Sequence, residues 1–194
     1  MNAATTSTLN PLERVVLPSH LKRLILTGFM GAGKSTVGRL LASRTGWTFL
    51  DLDTHLERRA GATIPQLFAR LGETRFRRLE STALASALAS TNTILALGGG
   101  TPEELTNRLL IEQTPGTFTI FLDAPFPTLF DRCMLQDIAR PVLQDPAAAE
   151  LRFAHRHPLY TRLAQFVVDT ADLTPEVTVK AILAALNQPG NSHS

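Results

Sequence analysis

A glycine-rich stretch near the N-terminus has the residue types that hold a phosphate group. Residues 28–36 read Gly-Phe-Met-Gly-Ala-Gly-Lys-Ser-Thr and match the pattern G-x-x-x-x-G-K-[ST]. Glycines let backbone N–H groups wrap around a phosphate, and the N-terminus of a following helix adds positive potential. In such a loop Lys34 reaches the β- and γ-phosphates, and the Ser35 hydroxyl ligates Mg²⁺. The residues predicted to contact a nucleoside triphosphate are Gly31, Ala32, Gly33, Lys34, Ser35 and Thr36.

Two carboxylates at the end of the next predicted strand could assist phosphoryl transfer. One residue separates Asp51 from Asp53, so both side chains leave the strand on the same side. One could hold a water of the Mg²⁺ shell, and the other could accept a hydrogen bond from an acceptor hydroxyl. The alternative is a pair of solvated acids where a strand passes into a helix, and the motif alone favours neither.

Three further segments carry features that could bind a ligand or could be ordinary surface. The glycines at 98–100 follow the third predicted strand, where missing side chains would let a ligand approach the backbone; a flexible turn is the alternative. Arg77 and Glu80 share a face of an arginine-rich helix, which is also typical of a solvated face. Arg140 precedes a weakly apolar segment, residues 142–150, that could be a lid over the nucleotide or a plain loop.

The elements that must position these residues are short apolar runs that alternate with helical patterns. Runs without polar alternation, separated by helices, predict a parallel sheet covered by helices on both faces. Ligands of such α/β sheets bind beyond the carboxyl ends of the strands, where the candidate residues fall. The predicted strands are Leu21–Thr27, Thr48–Leu52, Thr93–Leu97, Phe118–Leu122 and Phe166–Asp169.

Length and composition fit one globular domain. The chain has 194 residues, of which 44% are apolar and 19% charged, so we expect a folded core and not wholesale disorder. The net charge of +2 is too small for a general nucleic-acid surface, and no apolar stretch is long enough to span a bilayer. The lone Cys133 excludes an internal disulfide and fits a reducing compartment. We predict flexible tails at residues 1–20 and 188–194 around a single domain at 21–187.

The function classes are separated by what accompanies the phosphate loop. GTPases normally add an N-K-x-D motif, which this sequence lacks, and transport ATPases and helicases need longer chains. A non-catalytic sensor on this scaffold would carry a DNA-binding module, for which residues 1–20 are too short. His155 and His157 have no second ligand pair at the spacing of a zinc site. A small-molecule kinase fits best. A kinase of a small polyol acid such as gluconate is one alternative within this class.

Taken together, the motifs resemble those of the shikimate kinase family. GFMGAGKSTVGRLLA, DLD, FRRLE, GGG, R-P-V-L and R-x-P-L-Y occur in that family's order and approximate spacing over about residues 21–187. The resemblance implies a P-loop NTPase of the nucleoside-monophosphate-kinase-like type, with a five-stranded parallel sheet and a mobile lid at about 138–150. It implies transfer of the ATP γ-phosphoryl group to the 3-hydroxyl of shikimate, with Mg²⁺, in aromatic amino-acid synthesis. We expect a cytoplasmic enzyme, acting as a monomer on ATP and shikimate without nucleic acid or membrane.

The resemblance also gives each matching residue a role. Asp53 would hold the reacting hydroxyls and act as a base, and Asp51 would support the Mg²⁺ shell through water. Arg77 and Arg156 would bind the shikimate carboxylate, and Glu80 would brace the site. The other implied contacts are those of Gly98, Gly99 and Gly100 with shikimate, of Arg140 with the transferring phosphate and of Arg132 with ATP. Arg140 and Arg156 lie a few positions closer than the family pattern, which predicts a shortened lid or following helix.

Overall fold

A five-stranded sheet forms the centre of the computed structural model, which describes residues 14–135 and 145–187. All neighbouring strands are parallel, and each lies within two residues of its predicted bounds, so the predicted sheet is confirmed. The strands are β1 Arg23–Thr27, β2 Thr48–Asp51, β3 Thr93–Ala96, β4 Thr117–Asp123 and β5 Phe166–Asp169. Their order across the sheet is β2-β3-β1-β4-β5.

Helices connect the strands, and several begin at residues that cap their free N–H groups. In the capping box at Thr63, the Thr63 hydroxyl accepts a hydrogen bond from the Gln66 N–H, and the Gln66 side chain accepts one from the Thr63 N–H. The helices of the described ranges are α1 Lys34–Thr45, α2 Leu52–Ala60, α3 Ile64–Leu88, α4 Leu105–Gln113, α5 Phe126–Leu135, α6 Pro146–Leu163 and α7 Pro175–Leu186. A 3₁₀ turn at Thr101–Glu103 precedes α4.

The core lies in two apolar layers, one on each face of the sheet. Leu24 and Leu26 of β1 pack into one layer with residues of α1 and α7, whereas Ile25 packs into the other with residues of α2 and α3. Successive residues of a strand face opposite sides, so an unbroken apolar strand requires helices on both faces. The two layers hold β1 rigidly, and the loop that follows it therefore starts from a fixed point.

The packed part of the chain begins before Leu21, where the sequence analysis placed the start of the domain. Leu17 is buried in the layer that contains α1 and α7, and the Val15 N–H donates a hydrogen bond to the Arg44 carbonyl oxygen at 2.8 Å. The predicted tail of residues 1–20 is therefore too long at its C-terminal end, because these two apolar residues find partners far along the chain.

The segment predicted as a lid lies partly outside the described residues, and so does Arg140. Of residues 138–150, the structure describes only 145–150. Asp145 caps α6 by accepting a hydrogen bond from the Ala148 N–H, and the helix begins at Pro146. The residues after Pro146 are thus part of an 18-residue helix. None of the described helices has the length and apolar character needed to cross a membrane.

Candidate active site

One cavity at the carboxyl ends of β1, β2 and β3 gathers most of the predicted site residues. The loop after β1 supplies the predicted phosphate-binding residues, the end of β2 and the start of α2 supply the two aspartates, and α6 supplies an arginine. The predicted residues that line this cavity are Gly31, Gly33, Lys34, Ser35, Thr36, Asp51, Asp53, Gly99 and Arg156. Motifs more than a hundred residues apart in sequence therefore meet where the fold class predicts a ligand.

The loop after β1 has a backbone that only glycine adopts readily. Gly28, Gly31 and Gly33 have φ angles of 143°, 79° and 84°. A Cβ atom on Gly28 would also lie 2.6 Å from the Leu122 carbonyl oxygen. Gly33 offers no side chain to cap α1, so it leaves the first N–H groups of that helix uncapped, as an anion site requires.

Lys34 folds its side chain back over this loop. Its Nζ donates hydrogen bonds to the carbonyl oxygens of Gly28 at 2.8 Å and Phe29 at 2.9 Å. The ammonium group is thus held beside the helix N-terminus, and both contribute positive potential to the same end of the cavity. This arrangement suits a polyphosphate.

Ser35 and Asp51 form a pair of oxygen ligands next to the phosphate loop. The Ser35 hydroxyl donates a hydrogen bond to Asp51 Oδ2 at 2.8 Å, while Asp51 Oδ1 accepts one from the Thr54 N–H at 3.3 Å. Hydroxyl, carboxylate and water oxygens are the ligands that Mg²⁺ takes together with substrate phosphates. In the part of the chain that the structure describes, no three His, Cys, Asp or Glu side chains cluster as a metal site. The donor set therefore fits an ion held mainly by phosphates and water.

The glycines after β3 allow charged side chains to approach the backbone closely. A Cβ atom on Gly98 would lie 2.5 Å from Asp53 Oδ1, and one on Gly100 would lie 2.7 Å from both terminal nitrogens of Arg77. These separations are far shorter than a van der Waals contact between a carbon atom and a nitrogen or oxygen atom. A side chain at either position would therefore push the charged group away. The requirement for glycine here is close packing around the site.

Gly99 lies between these two glycines and is held by Tyr160. The Tyr160 hydroxyl donates a hydrogen bond to the Gly99 carbonyl oxygen at 2.6 Å, and the tyrosine side chain is fully buried. Burial raises the pKa of Tyr160, so the hydroxyl keeps its proton and remains a donor. Sequence reasoning assigned this residue no role, although it ends the R-x-P-L-Y motif.

Arg77 and Glu80 are not on a solvated face of α3, since Glu80 is only 2% exposed. Arg77 Nη1 donates to Glu80 Oε2 at 2.9 Å, and the Thr101 hydroxyl donates to Glu80 Oε1 at 2.8 Å. Burial alone would lower the pKa of Arg77, but the carboxylates of Glu80, Glu103 and Glu73 outweigh it and raise this pKa. Arg77 is thus a fixed cation.

Glu103 is a site residue that sequence reasoning missed. Its Oε2 atom accepts hydrogen bonds from Arg156 Nη2 at 2.8 Å and from Arg77 Nη2 at 3.3 Å. Glu103 therefore joins the two arginines that the sequence analysis paired. The sequence signal is weak, because Glu103 lies in a 3₁₀ turn whose direction depends on how the glycine stretch packs.

Arg132 lies at a second cavity that shares Gly31, Gly33 and Thr36 with the first. Its Nη2 donates to the carbonyl oxygens of Thr170 and Ala171, at 2.5 and 3.0 Å, which fixes the guanidinium against the loop after β5. The structure thus places Arg132 beside the phosphate loop but away from Arg77 and Arg156.

The parallel sheet, the phosphate loop after its first strand and the acid pair on the next strand define an ATP-dependent P-loop kinase of a small molecule. The family model for shikimate kinase matches residues 30–187, and the chain belongs to the shikimate kinase family. The resemblance seen in the motifs is thereby confirmed.

Individual relatives agree with this assignment. The chain is 39% identical to a shikimate kinase of Psychrobacter sp. (strain PRwf-1), over 91% of this chain and 98% of that protein. It is 40% identical to a shikimate kinase of Thermobifida fusca (strain YX), over 86% and 96%. Among solved structures, the shikimate kinase from Acinetobacter baumannii in complex with shikimate has a TM-score of 0.79 at 34% identity, covering 86% of this chain and 93% of that one.

The gluconate alternative is supported at the level of fold alone. A gluconokinase from Sinorhizobium meliloti 1021 has a TM-score of 0.57 and 18% sequence identity, covering 87% of this chain and 93% of that one. The TM-score shows that the two chains share an architecture. At this low sequence identity, the likeness carries no information about a shared acceptor.

Proposed function

We propose that this chain transfers the γ-phosphoryl group of ATP to the 3-hydroxyl of shikimate, giving shikimate 3-phosphate and ADP. The observation that carries the proposal is one cavity whose lining holds the phosphate loop, Asp53 and Arg156, with Arg77 joined to Arg156 through Glu103. An acceptor with a hydroxyl and a carboxylate fits such a cavity, because guanidinium groups bind carboxylates in planar forks. The step belongs to aromatic amino-acid synthesis.

At the nucleotide end, the backbone of Gly31, Ala32 and Gly33 would surround the phosphates, with Ser35 and Thr36 at the start of α1. Lys34 would exchange its two carbonyl partners for the β- and γ-phosphate oxygens, where its charge counts most as the phosphoryl group detaches. Mg²⁺, when bound, would neutralise phosphate charge. Ser35 would be its direct ligand, and Asp51 would support its shell through water.

At the acceptor end, Asp53 would hold the 3-hydroxyl and accept its proton. The hydroxyl oxygen forms the new bond to the γ-phosphorus, and the bond from that phosphorus to the β–γ bridging oxygen breaks, releasing ADP. Arg77 and Arg156 would bind the carboxylate, with Glu80 bracing Arg77. The substrate would lie along the backbone of Gly98, Gly99 and Gly100.

Two further arginines complete the proposal. Arg140, outside the described residues, would close with the lid at about 138–150 onto the transferring phosphate. Arg132 would lie next to the adenine, with the loop that follows β5. Both roles come from the family motifs, and the position of Arg132 beside the phosphate loop supports the second.

We also propose that the enzyme acts as a monomer in the cytoplasm, without nucleic acid or membrane. The buried thiol of Cys133 and the use of ATP fit a reducing compartment. A net charge of +2 gives nucleic acid little to bind.

The direct test is ADP release from ATP with shikimate, with gluconate and without an acceptor. We expect release with shikimate to exceed the background without acceptor by at least about a hundredfold, since a positioned acceptor makes the transfer effectively unimolecular. Gluconate should stay at background. Faster ADP release with gluconate than with shikimate would show that shikimate is not the preferred acceptor.

Arg77→Lys is expected to raise the KM for shikimate about tenfold or more and to leave the KM for ATP within about twofold. A lysine keeps the charge but cannot offer two parallel N–H groups to a carboxylate. Steady-state kinetics with each substrate varied in turn measure both values. Arg78→Lys is the matched control, because Arg78 is the exposed neighbour on the same helix. Weaker ATP binding with unchanged shikimate binding would show that Arg77 serves the nucleotide.

A further inference from the structure

The two arginines proposed to bind the substrate carboxylate already hold a carboxylate of the protein. A single oxygen, Glu103 Oε2, lies 2.8 Å from Arg156 Nη2 and 3.3 Å from Arg77 Nη2. The arginine side chains are only 12% and 13% exposed, so water screens these contacts weakly. Glu103 therefore has the position and the charge that an incoming carboxylate would need.

Carboxylates of the protein already neutralise the two guanidinium groups without a substrate. Arg77 and Arg156 supply two positive charges, the carboxylates of Glu80 and Glu103 supply two negative ones, and the exposed Glu73 lies 3.6 Å from Arg77 as a third carboxylate. A substrate carboxylate would add a further negative group around two guanidinium ions, which like-charge repulsion in a half-buried cluster disfavours. One protein carboxylate must give way for the substrate to bind well.

Of the two, Glu103 is the one that can leave. Glu80 is almost fully buried and receives hydrogen bonds from both Arg77 and Thr101. Glu103 has a side chain that is 25% exposed, and it ends a 3₁₀ turn of three residues. Its carboxylate can therefore turn towards water by rotating its own side chain, with no change in the sheet or helices.

Arg156 is also incompletely satisfied while it holds Glu103. Its Nε atom is buried and has no hydrogen-bond partner among the described residues, although its Nη2 atom is bound. A guanidinium with one buried free donor gains more from a two-pronged carboxylate than from the single oxygen that Glu103 provides.

We propose that Glu103 is an internal counter-ion that occupies the substrate's place on Arg77 and Arg156, and that shikimate binds by exchanging its carboxylate for that of Glu103. This inference rests on the proposed function. Glu103 is then a specificity residue: it keeps both guanidinium groups paired against neutral polyols, and only an acceptor that brings its own carboxylate can release them. Affinity for the correct acceptor is lower in consequence, since each binding event breaks two ion pairs.

Glu103→Gln tests the exchange, because it keeps the shape of the side chain and removes its charge. We expect the Kd for shikimate, measured by calorimetry, to fall about tenfold, since a neutral acceptor holds arginine roughly half as strongly as a carboxylate does. The KM for shikimate should fall likewise with kcat within about twofold. The methyl ester of shikimate, which has no charge to exchange, should gain less than about twofold.

Glu104→Gln is the matched control, because it removes the same charge one residue along from a side chain with no ion pair among the described residues. An equal fall in the Kd for shikimate in both variants would mean a general change in the electrostatic potential of the site. The proposed carboxylate exchange would then be wrong. Weaker or unchanged shikimate binding in Glu103→Gln, at an unchanged Tm, would make Glu103 a brace for the arginines and overturn the proposal. If the parent chain phosphorylates no shikimate at all, the proposed function fails first and the exchange fails with it.

Discussion

Replacement of Lys34 by alanine is expected to lower kcat by about a hundredfold to a thousandfold while the fold is retained. In the proposed function the lysine supplies the cation nearest to the β- and γ-phosphates, and removing one such preorganised group typically costs about 3–4 kcal/mol of transition-state stabilisation. Its hydrogen bonds to Gly28 and Phe29 stabilise the empty loop only modestly. The measurement is the rate of ADP release at saturating ATP and shikimate, with the Tm as a check on folding.

Lys180→Ala is the control for Lys34, because it removes an exposed lysine from α7, on another helix. It should keep both the rate and the Tm of the parent. A Lys34→Ala enzyme that retains a rate within tenfold of the parent would mean that the loop after β1 holds something other than the transferring phosphate.

Asp53→Asn should lower kcat by about a hundredfold to ten-thousandfold, the usual contribution of a general base. Asparagine has the same shape and keeps the close contact with Gly98, so the loop after β3 need not move. It cannot accept the proton of the attacking hydroxyl. Because the phosphate loop is untouched, the KM for ATP should change less than about threefold, and this split between kcat and KM is the measured result.

Asp131→Asn is the comparison for this variant, since Asp131 is an exposed aspartate on α5 and has no ion pair among the described residues. Its kinetic constants should match those of the parent. If Asp53→Asn keeps kcat within about tenfold, Asp53 does not take the proton, and orienting the hydroxyl would be its whole role.

The sheet and the phosphate loop could be predicted because their signals are local. An apolar run of four to seven residues followed by a glycine-rich turn specifies a buried strand and an anion-binding loop within one stretch of chain. The family motifs then predicted the five-stranded parallel sheet and most of the residues that line the cavity. The strand and the loop after it depend on residues close together in sequence, where pattern and structure correspond directly.

The surroundings of single side chains could not be predicted, because they depend on distant segments. Arg77 reads as part of a solvated face until Glu103, 26 residues away, packs against it. Glu103 meets Arg156 across 53 residues. Leu17 is similar: the residues that follow it, 18–20, are turn-forming or polar, and the helices that bury it lie elsewhere in the chain. Burial of this kind follows from the fold.

The hydrogen bonds that hold the loop after β3 also affect how much entropy is lost when an acceptor binds. Tyr160 holds the Gly99 carbonyl oxygen, and the Asn107 side chain donates to the Thr101 carbonyl oxygen at 2.9 Å. This backbone therefore loses its conformational freedom once, when the chain folds, and does not lose it again when an acceptor arrives. The entropy lost on acceptor binding then falls mainly on the ligand itself and on the side chains that exchange partners.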